Sequence, residues 1–240
     1  MRVRSERGSA IAVGVLYIAA TVAGVLSKVV SGTSLAGPGI SADLATNETR
    51  VTAAAFLLLV MAVTVSGVAV MMYPILMQDA DTKVKEGLSI WYVGARIAEG
   101  TLFVVALLGL FALLALSKAF VTPGVAGDSS LQLAGTVLWV VWDGAWMLGQ
   151  SVFCGGALML YYLLYESKRV PRWLSVWGLI AAPLMLVAGF SLVVTGDPNS
   201  TFSSILYAPL GLQEMALAVW LLVRGFNAPT GTKARLEAMR

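Results

Sequence analysis

The sequence predicts an all-α fold: a polytopic membrane helix bundle with six transmembrane helices and both termini cytoplasmic. Three observations predict it. First, the 240 residues are 58% hydrophobic and only 12% charged. A soluble domain carries about twice that charge fraction, so this chain lacks the polar residues to coat a globule in water. Second, six apolar stretches reach or exceed the ~20 residues that a helix needs to cross a hydrocarbon core. Third, the basic residues alternate between the two sets of connections.

Taken in order, the spans run over about 10–30, 51–76, 90–116, 136–164, 174–194 and 205–223. Segment one has an Arg2/Arg4/Arg7 head like that of a secretory signal. Its apolar run is longer than the 7–15 residues usual for a signal core, so it is read as a retained helix. Segments two to four exceed the minimum length, which predicts tilt or protrusion into water. The outer connections, 31–50, 118–132 and 196–203, are rich in turn residues such as Gly37-Pro38-Gly39, Pro123-Gly124 and Asp197-Pro198-Asn199. Asn47-Glu48-Thr49 matches a glycosylation pattern, but so short a match arises by chance and carries no weight. No repeat or linker divides the chain, and residues 1–240 are expected to form a single integral-membrane domain.

Charge placement sets the orientation. One side holds Arg2, Arg4, Arg7, Lys83, Lys85, Lys168, Arg169, Arg172, Arg224, Lys233, Arg235 and Arg240. The other holds Lys28, Arg50 and Lys118. Basic residues favour the cytoplasmic side, so both ends are expected inside the cell membrane. The net charge of +3 reflects this distribution, and nucleic acid is not an expected partner; membrane lipids are. The single Cys154 excludes an intrachain disulfide. With one cysteine and no histidine, a zinc, haem or iron–sulfur site is not expected, no cofactor is implied, and histidine-based acid–base catalysis is excluded.

The chemistry this chain offers lies in four ionisable residues inside the spans: Arg96, Glu99, Asp143 and Glu214. A charge at the bilayer centre costs about 2.5–3.5 kcal/mol on insertion scales, so each needs a reason. Arg96 and Glu99 are three residues apart and share a helix face. Tyr92 and Phe103 continue that face. At 1.5 Å per residue from Ile90, Arg96 and Glu99 lie about 9 and 14 Å deep. Glu214 lies about 14 Å from the opposite-running end of segment six at Val223. The matching depths predict a buried charge cluster of Arg96, Glu99 and Glu214 with Tyr92. Gly211 and Ala218 leave room for a neighbouring helix beside Glu214, and Pro209 predicts a kink. Three readings of the cluster stand together: fixing of helix register, a ligand or ion site, and a proton relay. Three acids against one base leave a charge of −2 if all ionise, which favours a neutral carboxyl or a water-filled cavity.

Trp139, Trp142, Asp143, Trp146 and Gln150 fall on one face of segment four. An acid framed by tryptophans resembles a cage for an organic cation, since ring faces and a carboxylate both attract positive charge. Belt anchoring at the membrane interface is the competing explanation for the rings, though a belt needs no acid. Tyr161, Tyr162, Tyr165 and Trp173 are read as inner-interface anchors, with Lys168, Arg169 and Arg172 beyond them, where anionic lipid headgroups could also bind. Cys154 is read as a packing residue. Ser66-Gly67, Gly144, Gly149 and Gly155-Gly156 are read as sites of close helix approach. Lys28 and Lys118 are expected to snorkel at outer helix ends.

Several of these residues also carry a resemblance. They are Tyr17-Ile18 with Gly24, Arg96 followed by Glu99, Arg169-Val170-Pro171-Arg172-Trp173-Leu174-Ser175 leading to Gly178, and Glu214 followed by Trp220-Leu221-Leu222-Val223 and Gly225-Phe226. In these the chain resembles the bacterial six-helix domain-of-unknown-function family 4386. The resemblance implies a six-span integral protein of a bacterial inner membrane and brings no activity with it. The tryptophan stripe at 139–146 departs from the family pattern.

Three functions are compatible with the residues. The first is a non-enzymatic binder of a small molecule or lipid, as a transporter or sensor. The second is an accessory subunit of a larger membrane assembly. The third is an intramembrane acid–base enzyme, which would require Glu99 and Glu214 as its working pair.

Overall fold

A computed structural model describes residues 2–31, 42–122, 129–195 and 201–228. Much of the three turn-rich outer connections lies outside the described residues, as do Lys233, Arg235, Arg240 and the side chains of Arg2 and Arg4. The described residues form seven helices and no strand: α1 (Arg2–Ser31), α2 (Ala42–Thr46), α3 (Glu48–Gln78), α4 (Lys83–Phe120), α5 (Ser129–Ser167), α6 (Arg172–Thr195) and α7 (Thr201–Val223). Six of them, all but α2, are long and apolar enough to cross a membrane.

The helices outrun the apolar spans. α4 has 38 residues and α5 has 39, because polar side chains continue the helix once the apolar run ends. Thr82 caps α4 by accepting a hydrogen bond from the Lys85 amide at 3.3 Å, and Lys83 pairs with Glu86 at 2.8 Å in its first turn. α2 lies in a stretch that reads as turn-rich from sequence. Asn47 closes it, with its backbone and side-chain nitrogens both donating to the Asp43 carbonyl at 2.9 Å. α3, α6 and α7 run through Pro74, Pro183 and Pro209.

By their internal contacts the residues fall into two compact units. Unit 1 takes Met1–Ile18, Thr64–Ala98 and Gln150–Arg240, and unit 2 takes Ala19–Val63 and Glu99–Gly149. In unit 1 the core is one apolar cluster with helical periodicity. Ala10, Val13 and Tyr17 come from α1; Ala157, Leu160, Tyr161 and Leu164 come from α5; Leu210, Leu217 and Leu221 come from α7. α6 packs along α7. Glycine sets the closest approach of α1 to α7, since a Cβ on Gly14 would stand 2.9 Å from the Ala218 carbonyl oxygen. α7 stops at Gly225, whose φ of +74° suits a residue without a side chain and whose amide bonds back to Leu221 at 3.1 Å.

Unit 2 packs α1, α3, α4 and α5 through small residues. Ala20, Ala23, Ala54, Ala55, Ala62 and Ala106 are buried, and Ser27 Oγ donates to the Ala54 carbonyl at 2.8 Å. A Cβ on Gly109 would meet the Trp142 backbone at 3.3 Å, so α4 and α5 touch main chain to main chain there. On Gly149 it would meet the Phe103 ring at 2.9 Å.

Gly178 gives the sharpest packing test. A methyl group there would overlap the Tyr161 ring, which is 1% exposed and cannot swing away. Gly178→Ala should destabilise by about 1–3 kcal/mol through overpacking. Gly144, where a methyl meets nothing within 4 Å, should gain up to about 0.5–1 kcal/mol as alanine from helix propensity. Thermal unfolding of both variants in detergent checks the contrast.

Candidate functional site

Unit 1 gathers polar groups from four helices inside its apolar core. Tyr17 comes from α1, Tyr92 and Arg96 from α4, Tyr161 from α5, and Gln213 and Glu214 from α7. Tyr17, Tyr92 and Tyr161 are 1–2% exposed, Arg96 is 2% exposed and Gln213 is fully buried, while Glu214 is half-buried. The three phenols, the guanidinium and the Glu214 carboxyl are close enough to interact electrostatically. Gln213 Nε2 donates to the Leu174 carbonyl at 3.0 Å, and its amide also reaches the Tyr161 hydroxyl. The Arg96 guanidinium lies 4.9 Å from the centre of the Phe153 ring, and Ser66 Oγ donates to the Arg96 carbonyl at 3.4 Å.

Helical spacing builds this arrangement. Tyr92 and Arg96 are one turn apart, and on α7 Gln213 stands on the same buried face as Leu210, Leu217 and Leu221. Chemically, the site presents one fixed cation, one carboxyl, an amide and three hydroxyls that can each donate or accept. That set can hold a polar group, and it can pass a proton.

Three of the four predicted cluster members are found here: Tyr92, Arg96 and Glu214. Glu99 belongs to unit 2, where it is 3% exposed. Tyr161 and Gln213 are additions that the sequence reading missed. Tyr161 reads as an interface anchor but is buried, whereas Tyr162 is 42% and Trp173 56% exposed. The available signal was its spacing, since Cys154, Ala157, Tyr161 and Leu164 recur on one buried face.

A second polar centre in unit 1 corrects the reading of Arg169 as an interface cation. Its side chain is fully buried. Nε donates to Asp79 Oδ2 at 2.5 Å, one terminal nitrogen to Gln78 Oε1 at 3.0 Å, and the other to the Asn227 carbonyl at 3.2 Å and Glu6 at 3.4 Å. Asn227 closes the ring from its own backbone, donating to the Arg169 carbonyl at 2.8 Å. Lys168, with φ of 56°, makes the turn that delivers Arg169 to this position. Arg7 supports the same end, donating to the Leu222 carbonyl at 2.6 Å and to that of Leu221 at 3.2 Å.

In unit 2 the tryptophan stripe is half-buried along α5. Trp139 and Trp142 have ring centres 6.3 Å apart, and Trp146 tilts against Phe103 at 5.0 Å. The Trp146 ring already carries a cation, the Lys28 ammonium at 5.5 Å. Asp143 is half-buried on the same helix. Gln150 falls in unit 1, where its Oε1 accepts from the Tyr207 hydroxyl at 3.0 Å. Among the described residues no group of three or more Cys, Asp or Glu is placed to hold a metal ion. Unit 1 also carries an apolar groove of about 600 Å³ between α4 and α5, lined by Gly87, Trp91, Gly94, Ala98, Gly155 and Met159 among others; Glu214 does not line it.

Six helices long and apolar enough to cross a membrane define a multi-pass integral membrane protein. The chain belongs to the family described as Domain of unknown function (DUF4386), whose profile matches residues 12–225. No curated protein and no solved structure matches it.

Arg169→Ala would leave the Asp79 carboxylate without its cation in a buried position, at a cost of about 3–5 kcal/mol. Arg169→Lys keeps the charge but not the fork, so unfolding in detergent should rank wild type above lysine above alanine. Burial pushes the Asp79 carboxyl above its usual range, and the Arg169 hydrogen bond and charge pull it only partly back. An acid raised in the folded state adds stability below its unfolded pKa, lost as pH rises through its folded value. Asp79→Asn should therefore flatten the pH dependence of the melting temperature just above the ordinary aspartate range.

Proposed function

We propose that the protein is a non-enzymatic binder of a small molecule or lipid in a bacterial inner membrane, with both termini cytoplasmic, and that the polar interior of unit 1 contacts the ligand. The convergence of Tyr17, Tyr92, Arg96, Tyr161, Gln213 and Glu214 from four helices carries this reading. Helix register can be fixed by one buried ion pair; it does not call for three phenols and an amide converging with Arg96 and Glu214. A ligand with a hydrogen-bonding head would use the hydroxyls together with the Arg96 and Glu214 side chains. The skewed distribution of basic residues supports the orientation. The tryptophan stripe supports an organic-cation pocket less, because Lys28 already stands on the face of Trp146. Transport and sensing are both served by such a site.

An accessory-subunit role is the second reading. It draws on the α4–α5 groove, where a methyl added to Gly87, Gly94 or Gly155 would meet nothing within 4 Å. Small outward-facing residues let another membrane helix approach closely.

Native mass spectrometry of gently extracted protein tests the binder. Wild type should carry a stoichiometric adduct, lost in Glu214→Gln and weakened in Tyr17→Phe, and kept in Asp143→Asn. Wild type that is empty and bound to a distinct subunit, unchanged by these substitutions, would move the function to an assembly subunit.

A further inference from the structure

A second groove in unit 1 has its own chemistry. It holds about 480 Å³ and is lined by Trp173, Met215, Ala216, Val219, Trp220, Val223 and Arg224. The lining changes character along its length. Met215, Ala216, Val219 and Val223 give an apolar floor along α7. Trp173 opens α6 and is 56% exposed, and it stacks on Trp177 with ring centres 6.3 Å apart. Arg224 follows the last residue of α7, is exposed, and makes no ion pair among the described residues. Trp220 lines the groove, and its indole N–H is buried without a hydrogen-bond partner among the described residues.

We propose that this groove binds one phospholipid with an anionic headgroup, the phosphate against Arg224 and an acyl chain along Val223, Val219 and Met215. Nine helical positions separate Arg224 from Met215, about 14 Å at the α-helical rise. That distance covers an upper segment of an acyl chain below its phosphate. Charge complementarity selects the headgroup. Several described cations of this end are engaged: Arg169 in its buried network, Arg7 on the Leu221 and Leu222 carbonyls, Lys85 with Asp81 and Glu166, and Arg172 over the Tyr165 ring at 4.9 Å. Lys168 is exposed as Arg224 is, but of the two only Arg224 lines the groove, where it can meet an external anion. Tryptophan beside basic residues at a helix end, as with the exposed Trp173, is the aromatic signature of the membrane interface. Under the proposed orientation this end faces the leaflet rich in anionic lipid. The site lies apart from the tyrosine–arginine–glutamate cluster and does not depend on a ligand there.

The test is native mass spectrometry of protein released from nanodiscs holding equal phosphatidylglycerol and phosphatidylcholine. Wild type should retain one phosphatidylglycerol in preference to phosphatidylcholine. Arg224→Gln should lower that preference roughly fivefold, the worth of one basic residue at a membrane surface. Ala216→Phe, which fills the floor, should lose both lipids from the site, and Lys83→Gln, an exposed charge outside the groove, should change neither. Glu214→Gln should leave the lipid bound, which separates this site from the one proposed above. Equal retention of the two lipids by wild type, or an undiminished preference in Arg224→Gln, would overturn the proposal. Arg224→Gln alters an exposed side chain, so the outcome stands even if Ala216→Phe fails to fold.

Discussion

A single buried guanidinium ties one end of unit 1 together. Arg169 sits in the short connection between α5 and α6, yet its donors reach Glu6 near the start of α1, Gln78 and Asp79 at the end of α3, and Asn227 beyond α7. It ties the first turns of α1, the end of α3 and the segment after α7 to the α5–α6 connection. The fork geometry of arginine makes this feasible, since several N–H groups leave one plane in fixed directions. Two carboxylates, an amide and a main-chain carbonyl compensate for taking the charge out of water. The apolar spans can slide on one another at little cost in a hydrocarbon solvent, because lipid and leucine are equally good neighbours. A directional polar centre fixes what apolar packing leaves loose.

The same logic governs the polar interior of unit 1. Inside a membrane no water stands ready to satisfy an exposed group, so a tyrosine hydroxyl or a guanidinium must face protein or ligand. Tyr17, Tyr92 and Tyr161 therefore turn inward with Arg96, and the apolar faces of the same helices turn out. Unit 2 meets the constraint differently. Alanine and glycine bring its helices close, and the cation of Lys28 is placed on an aromatic face.

The fold class, the six spans and the family were legible from the residues, because span length and apolarity are properties of local sequence that the bilayer reads directly. Exact helix ends were not. The apolar window closes where the hydrocarbon closes, while α4 and α5 continue on helix-forming polar residues and caps such as Thr82. Depth counting matched Glu99 with Glu214, yet the two fall in different compact units, because a rise of 1.5 Å per residue gives depth along a helix and says nothing of which face meets which.

Which residues share an interior was decided by tertiary structure alone. Tyr161 and Tyr162 are neighbours of the same type, and only the rotation of α5 against α1, α4 and α7 in unit 1 buries one and exposes the other. Arg169 and Arg172 flank one proline, yet one is a buried hub and the other rests on the Tyr165 ring. The groove at Arg224 comes from two helix ends, α6 and α7, meeting side by side. Periodicity tells how each helix divides its residues into faces. It does not tell which face meets which, because that depends on contacts between segments as far apart as Glu6 and Arg169.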